Sequence, residues 1–125
     1  MKFTMYHGTT ADRARSINAN GFQRSKDGML GAGVYLTRDI NKARGYGDGT
    51  IITVSVAVGK VKKIDRQGHP LQKSWHNHGY DSAWVPPDSG MVLSGLTETC
   101  IYDPSRIHIV GIKYGSGKKD DCTVM

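Results

Sequence analysis

The N-terminal part of the chain changes from alternating apolar and polar residues to apolar residues that recur every three or four positions. Residues 2–6 alternate, which predicts a strand whose end carries His7, Gly8 and Thr9. Residues 10–20 follow the helical spacing and stop before a glycine, which predicts a helix. Polar residues at the end of a predicted strand are candidates for a functional site.

Short strands, turns and one further helix are predicted for the rest of the chain. The glycine-rich residues 23–33 predict a loop, followed by a strand over 33–37 and a short helix over 39–46. The clearest strand is the β-branched run over 51–58, and we expect residues 61–65 to continue it. A loop with at most a short helix is predicted over 66–80, and strands over 81–85, 98–102 and 106–114.

Two short helices near the N-terminus and several short strands after them predict an α+β fold built on a split antiparallel β-sheet. The length of 125 residues is that of one ordinary domain, and 38% hydrophobic and 22% charged residues are globular proportions. We expect this domain to cover residues 1–114. Residues 115–125, rich in Gly, Lys and Asp, are expected to form a flexible tail.

The formal charge of +6 favours an anionic partner, such as a dinucleotide, a nucleic acid or an acidic membrane surface. The basic residues are spread along the chain, so charge alone does not choose among these partners. Cys100 and Cys122 are too few for a disulfide framework, and the N-terminus lacks an apolar leader. We therefore expect a protein of the reducing cytoplasm.

Three motifs carry the candidate chemistry. They are Tyr6-His7-Gly8-Thr9, then Gly33-Val34-Tyr35-Leu36-Thr37 with Asn41-Lys42-Ala43-Arg44-Gly45-Tyr46 behind it, and finally Glu98-Thr99-Cys100-Ile101-Tyr102-Asp103. In this order and spacing they resemble the catalytic domain of the poly(ADP-ribose) polymerases, the diphtheria-toxin-like, His-Tyr-Glu group of ADP-ribosyltransferases. Within that family, the compact length and Gly28-Met29-Leu30-Gly31-Ala32-Gly33-Val34-Tyr35 resemble the small reovirus-induced proteins of fish.

The resemblance implies an enzyme that uses NAD⁺ as its substrate, cleaves the nicotinamide–ribose bond and transfers ADP-ribose to a protein or nucleic-acid acceptor. It implies that His7 bonds the adenosine-side ribose, that the Gly8 backbone grips the carboxamide, and that Tyr35 and Tyr46 enclose the nicotinamide ring. Glu98 is the implied catalytic glutamate, with His7 and Tyr35 beside it. The short acceptor side favours the transfer of single ADP-ribose units.

One position departs from the family pattern. The family's small helix places a serine hydroxyl against the carboxamide, and this chain has Ala43 there. We therefore expect weaker NAD⁺ binding, or binding through the neighbouring Asn41. Thr9 and Gly33 complete the set of residues that we expect to bind NAD⁺.

The chemistry of the reaction favours the same residues. Loss of nicotinamide builds positive charge on the ribose, and a carboxylate such as Glu98 stabilises that charge. A pyridinium ring lies favourably over an aromatic ring, which suits Tyr35 and Tyr46. A carboxamide needs one donor and one acceptor, which a backbone without a Cβ offers at close range, as at Gly8.

The last four residues, Cys122-Thr123-Val124-Met125, fit the C-a-a-X prenylation pattern, and a terminal methionine favours farnesyl. A single prenyl chain gives only marginal anchoring, so we expect at most peripheral membrane association of a cytoplasmic protein.

Two alternative functions stay open. One is a module that binds NAD⁺ or ADP-ribose without turnover, in antiviral or stress signalling, and the other is a phosphotransferase acting on RNA 2′-phosphates. No metal site is predicted, because His69, His76 and His78 lack the paired cysteines of a structural zinc site. The role of the segment that carries these histidines is left open.

Overall fold

Seven strands and two α-helices make up the part of the chain that the computed structural model describes, residues 1–91 and 97–115. In chain order they are β1 (Lys2–Thr9), α1 (Ala11–Asn20), β2 (Val34–Leu36), α2 (Ile40–Arg44), β3 (Thr50–Ala57), β4 (Val61–Lys63), β5 (Ser82–Val85), β6 (Glu98–Ile101) and β7 (Ile107–Lys113). Two short 3₁₀ helices cover Trp75–His78 and Pro104–Arg106. The prediction of an α+β protein with two short helices near the N-terminus is confirmed.

The strands divide between two sheets. One has the order β1-β3-β7 and is antiparallel, and the other has the order β2-β6-β5-β4. In the second sheet β4 runs parallel to β5, whereas the other pairs are antiparallel. The sheets meet where the Tyr6 N–H donates to the Thr37 carbonyl at 2.7 Å and the Thr37 N–H donates to the Tyr6 carbonyl at 3.0 Å.

Residues 61–65 do not continue β3, contrary to the prediction. Gly59 has a φ of +63°, a left-handed conformation that turns the chain after β3. The Asp81 carboxylate then accepts a hydrogen bond from the Lys60 N–H at 2.8 Å. The chain thereby passes into the second sheet, where β4 pairs with β5.

The ends of both helices are fixed by residues that the sequence makes recognisable. The Thr10 hydroxyl accepts from the Arg13 N–H at 3.2 Å at the start of α1, and Gly21, with a φ of +84°, ends it. The Asp39 carboxylate accepts from the Asn41 N–H at 2.9 Å at the start of α2. This helix ends at Arg44 and is shorter than the predicted span of 39–46.

Two hydrophobic clusters hold the sheets in place. The first lies between the sheets and α1, and its buried members include Met5, Ala14 and Ile52. The second covers the other face of the second sheet, where the Trp75 indole N–H donates to the Leu30 carbonyl at 2.8 Å. The predicted loops over 23–33 and 66–80 are therefore anchored to each other beside β2 and β6.

No helix within residues 1–91 and 97–115 is long and apolar enough to cross a membrane. The C-a-a-X residues, including Cys122, lie outside the described residues.

Candidate functional site

A cleft of about 310 Å³ lies where the two sheets meet, beside α2. All three sequence motifs contribute to its lining, together with the loop that precedes β2. The lining residues are Tyr6, His7, Gly8, Ser25, Asp27, Gly28, Tyr35, Leu36, Thr37, Ala43, Tyr46 and Glu98. The structure therefore brings together residues that are far apart in sequence and that were predicted to share a site.

A second, adjoining cavity of about 510 Å³ shares His7, Ser25 and Tyr35 with the cleft. Its other walls come from α1, the loop after it and the start of β2, with Arg13, Phe22 and Val34 among them. Within the described residues, the lining of the adjoining cavity contains no carboxylate, whereas the cleft is lined by Asp27 and Glu98.

His7 is held in one orientation at the boundary between the cleft and the adjoining cavity. Its Nδ1 lies 2.9 Å from the Tyr35 carbonyl oxygen, and because a carbonyl only accepts, Nδ1 carries the proton. Burial lowers the pKa of His7, the bond to Tyr35 opposes this, and the charge of Arg13 lowers the pKa further. The Phe22 ring packs edge-on at 5.2 Å. The ring is thus neutral near pH 7, with Nε2 as a hydrogen-bond acceptor.

Gly8 presents backbone groups to the cleft and allows close packing on α2. The N–H and C=O of Tyr6 point to Thr37, and alternate residues of a strand point the same way, so those of Gly8 face the cleft. A Cβ on Gly8 would lie 2.8 Å from the Ala43 carbonyl carbon and 3.1 Å from the Tyr46 Cβ. Gly8 is therefore also required for the packing of β1 on α2. The sequence did not reveal this second reason for a glycine at position 8.

Glu98 forms a buried ion pair with Lys42 of α2. The Lys42 Nζ lies 3.2 Å from the Glu98 Oε1, and the two side chains are 5% and 15% exposed. The same Nζ donates to the Thr97 carbonyl at 3.3 Å. Burial raises the pKa of Glu98, and the charge and hydrogen bond of Lys42 offset part of this rise. The lysine thus holds the carboxylate in place and favours its ionised form.

Sequence reasoning missed Lys42 as a site residue. Lysine is seldom buried unless it is paired, and its partner here arrives from a distant strand. The one signal was its position beside Ala43 in the second motif.

The two predicted tyrosines line the same cleft but differ in how firmly they are held. The Tyr35 hydroxyl donates to the Gly31 carbonyl at 2.6 Å and accepts from the Leu30 N–H at 2.8 Å. Burial raises the pKa of Tyr35 well above its ordinary value. Tyr46 is 50% exposed, and partial burial together with the charge of Glu98 raises its pKa. Tyr35 is therefore held by two hydrogen bonds, whereas half of the Tyr46 surface is open to solvent.

Gly28, in the loop before β2, packs directly against Tyr35. A Cβ on Gly28 would lie 2.7 Å from the Tyr35 Cζ, so only a glycine fits beside the ring without a shift. The glycine-rich loop therefore makes a close approach to a side chain of the cleft.

Other predicted site residues lie at or beyond the edge of the cleft. Ala43 lines it and offers no side-chain hydrogen bond. Asn41 is exposed, and its amide oxygen accepts from the Arg44 guanidinium at 2.6 Å, so the structure does not bring it into the cleft. Thr9 is buried and outside the lining, and Gly33 lines the adjoining cavity.

The histidines of the 66–80 segment make separate local contacts. The His69 Nδ1 accepts from the Leu71 N–H at 3.0 Å, and the His76 ring stacks on Tyr102 with a centroid distance of 4.2 Å. Within the described ranges, no three His, Cys, Asp or Glu side chains are grouped as metal ligands.

Comparison of the chain with models of known protein families gave no match, and comparison with curated proteins gave none either. The function therefore has to be inferred from the residues of the cleft.

Proposed function

We propose that this chain is an NAD⁺-dependent ADP-ribosyltransferase of the poly(ADP-ribose) polymerase type, which cleaves the nicotinamide–ribose bond and transfers single ADP-ribose units. The observation that carries the proposal is the meeting of His7, Tyr35, Tyr46 and Glu98 in one cleft. Two mainly antiparallel sheets that meet beside this cleft support the split-sheet fold of that family.

The charges of the two cavities match those of NAD⁺. The cleft has two tyrosines and the carboxylate of Glu98, which suit the cationic pyridinium ring. The adjoining cavity has the cation of Arg13, which suits the anionic diphosphate and the adenosine half. An NAD⁺ molecule that extends from one cavity to the other meets a complementary charge at each end.

The nicotinamide would lie between Tyr35 and Tyr46. Two hydrogen bonds fix the Tyr35 hydroxyl, so this ring would form one side of the nicotinamide position, and the half-exposed Tyr46 would close the other side. The Gly8 N–H and C=O supply the donor and acceptor that a carboxamide requires. Ala43 lacks the hydroxyl of the family's serine, which weakens binding by about 0.5–1.5 kcal/mol.

His7 would fix the ribose on the adenosine side. Its Nδ1–H is committed to the Tyr35 carbonyl, so the free Nε2 accepts a hydrogen bond from a ribose hydroxyl. The position of His7 between the two cavities suits a group in the middle of a dinucleotide.

Glu98 would stabilise the transition state. As the bond between ribose and nicotinamide breaks, nicotinamide leaves as a neutral molecule with the bonding electrons, and positive charge builds on the ribose. A carboxylate at the 2-hydroxyl stabilises that charge, and Lys42 keeps the carboxylate ionised and oriented. The nucleophile of the acceptor then bonds to the ribose carbon and loses its proton.

Mass spectrometry of the purified protein incubated with NAD⁺ and a cell lysate tests the proposal. We expect free nicotinamide and an acceptor, protein or nucleic acid, that gains one ADP-ribose unit. Both products should form at least about tenfold more slowly with the Glu98→Gln variant. Absence of both products from the parent protein contradicts the proposal.

A second candidate is a module that binds NAD⁺ or ADP-ribose without turnover. One observation favours it: Lys42 already engages Oε1 of Glu98. Calorimetry distinguishes the two functions, because NAD⁺ binding by a parent protein that releases no nicotinamide identifies the binding module.

We also propose that the protein is cytoplasmic and that a farnesyl group on Cys122 gives it peripheral membrane association. This part of the proposal stands on the terminal sequence Cys122-Thr123-Val124-Met125 alone.

A further inference from the structure

The peptide group between Met29 and Leu30 is hydrogen-bonded on both of its sides. Its carbonyl, on Met29, accepts from the Gln72 Nε2 at 3.0 Å, and its N–H, on Leu30, donates to the Tyr35 hydroxyl at 2.8 Å. The C=O and N–H of a trans peptide lie in one plane and point in opposite directions. One rigid unit therefore links Gln72, in the 66–80 segment, to Tyr35 in the wall of the cleft.

The partners at each end set the direction of these hydrogen bonds. The Gln72 Oε1 accepts from the Gly68 N–H at 2.8 Å, so the side-chain amide is oriented with its Nε2 toward the peptide carbonyl. At the other end, the Tyr35 hydroxyl donates to the Gly31 carbonyl at 2.6 Å. Each donor in such a series polarises the next, which strengthens the bonds. We refer to this series, from Gln72 through the peptide to Tyr35, as the Gln72 relay.

The 66–80 segment holds the same turn at two further points. The indole N–H of the fully buried Trp75 donates to the Leu30 carbonyl at 2.8 Å, and the Lys73 Nζ lies 3.2 Å from the Asp27 carboxylate. Trp75 is also a member of the second hydrophobic cluster, so its replacement would disturb folding. Gln72 is half-buried and contacts the turn through its amide. Its effect on Tyr35 can therefore be separated from an effect on folding.

We propose that Gln72 is a positioning residue, which holds the Tyr35 side chain in its orientation through the peptide between Met29 and Leu30. The side chain is anchored by β2 at its backbone and by the Gln72 relay at its hydroxyl, so loss of the relay frees it to change its rotamer. The importance of Gln72 for catalysis rests on the proposed function, in which the Tyr35 ring forms one side of the nicotinamide position. The 66–80 segment, whose role the sequence left open, thereby supports the cleft.

The variant Gln72→Glu breaks the relay at its first bond. Its carboxylate still accepts from the Gly68 N–H but has no proton to donate to the Met29 carbonyl. The matched control is Gln67→Glu, which makes the same change of charge at an exposed residue and keeps an acceptor for the Gln72 amide. If Gln72→Glu does not fold, Gln72→Met and Gln67→Met replace the two variants and are compared in the same way.

NMR of the full chain with selectively labelled tyrosine measures the rotamer of Tyr35 directly. We expect one rotamer in the parent and in Gln67→Glu, and averaging over several rotamers in Gln72→Glu. This measurement needs neither NAD⁺ nor turnover. A Tyr35 rotamer that is the same in Gln72→Glu and in the parent overturns the proposal.

The kinetics of nicotinamide release measure the consequence for the proposed function. Gln72→Glu should raise the KM for NAD⁺ about two- to tenfold and change kcat little, because Tyr35 contacts the substrate before and during bond cleavage. In a Tyr35→Phe background, which lacks the hydroxyl, Gln72→Glu should have no further effect on KM. An equal rise in KM with and without the Tyr35 hydroxyl overturns the proposal. If Gln72→Glu changes the Tyr35 rotamer and the parent releases no nicotinamide, the proposed function is wrong and the positioning of Tyr35 by Gln72 is supported.

Discussion

Lys42 and Glu98 form an ion pair at the edge of the cleft, with 3.2 Å between the lysine Nζ and the glutamate Oε1 and with both side chains largely buried. The pair joins α2 to β6, the two elements that flank the proposed nicotinamide position. Burial alone raises the pKa of Glu98, and Lys42 is the group that opposes this rise. The lysine therefore controls both the position and the charge of the proposed catalytic carboxylate.

Replacement of this lysine by an uncharged residue of similar length, Lys42→Met, should shift the pH profile of nicotinamide release. The ionised form of Glu98 is the active one, so activity falls as the pH drops through its pKa. Without Lys42 that pKa is higher, and the acid limb of the profile moves to higher pH. Removal of one partner of a buried pair also lowers the free energy of unfolding, by about 3–5 kcal/mol where the remaining charge is fully buried. The loss should be smaller here, because the Glu98 side chain is 15% exposed and water solvates part of its unpaired charge.

The control for this variant is Arg44→Gln, which removes an exposed cation from the same helix. Its profile should superimpose on that of the parent. A Lys42→Met profile with an unchanged acid limb contradicts the positioning role of the lysine.

Gly8→Ala should damage both folding and NAD⁺ binding. The new methyl group would lie 2.8 Å from the Ala43 carbonyl carbon, so β1 and α2 must separate. We expect a loss of about 1–3 kcal/mol in the free energy of unfolding, as for other overpacked sites. Gly111→Ala is the matched control, because a Cβ there meets no atom within 4 Å. Chemical denaturation compares the two variants, and equal stabilities would count against the close packing of β1 on α2.

Ala43→Ser restores the hydroxyl that the resemblance places against the carboxamide. Because Ala43 lines the cleft, the new hydroxyl should tighten binding of nicotinamide by about 0.5–1.5 kcal/mol, or about two- to tenfold. Calorimetry with nicotinamide measures the change. The control variant is Asn41→Ser, at an exposed position outside the cleft, and it should leave nicotinamide binding unchanged. Unchanged affinity in Ala43→Ser would mean that the carboxamide does not bind beside this residue.

Local sequence signals were sufficient for α1 and led to several of the residues that line the cleft. Thr10 and Gly21 fixed the ends of the helix because capping and left-handed turns have strong residue preferences. Strand-end positions likewise led to His7 and Gly8, and both line the cleft.

Long-range pairing was not predictable in the same way. Whether β4 extends β3 or joins β5 depends on the turn at Gly59 and on a strand that follows much later in the chain. A similar difficulty explains why Asn41 was predicted as a site residue and Lys42 was not. A helix of 5 residues is too short for its periodicity to show which side faces inward, and the burial of Lys42 depends on Glu98.

Cys122→Ser should separate location from activity. The cysteine lies outside the described residues and beyond β7, so we expect the variant to retain NAD⁺ cleavage and to be wholly soluble in eukaryotic cells. The parent should gain a farnesyl group and lose its last three residues, as measured by intact mass. Fractionation should be carried out near physiological ionic strength, because salt screens the contribution of the flanking Lys118 and Lys119 to membrane binding. Parent protein that keeps Met125 and stays in the soluble fraction contradicts lipidation.

The rate of nicotinamide release from NAD⁺, compared between the parent and Glu98→Gln, tests the central claim most directly. Glutamine keeps the size of the side chain but removes the charge that stabilises the developing cation. We therefore expect turnover to fall at least about tenfold while NAD⁺ affinity, measured by calorimetry, changes little. Equal rates in the two proteins, including equal absence of release, would contradict the assignment of Glu98 as the catalytic carboxylate.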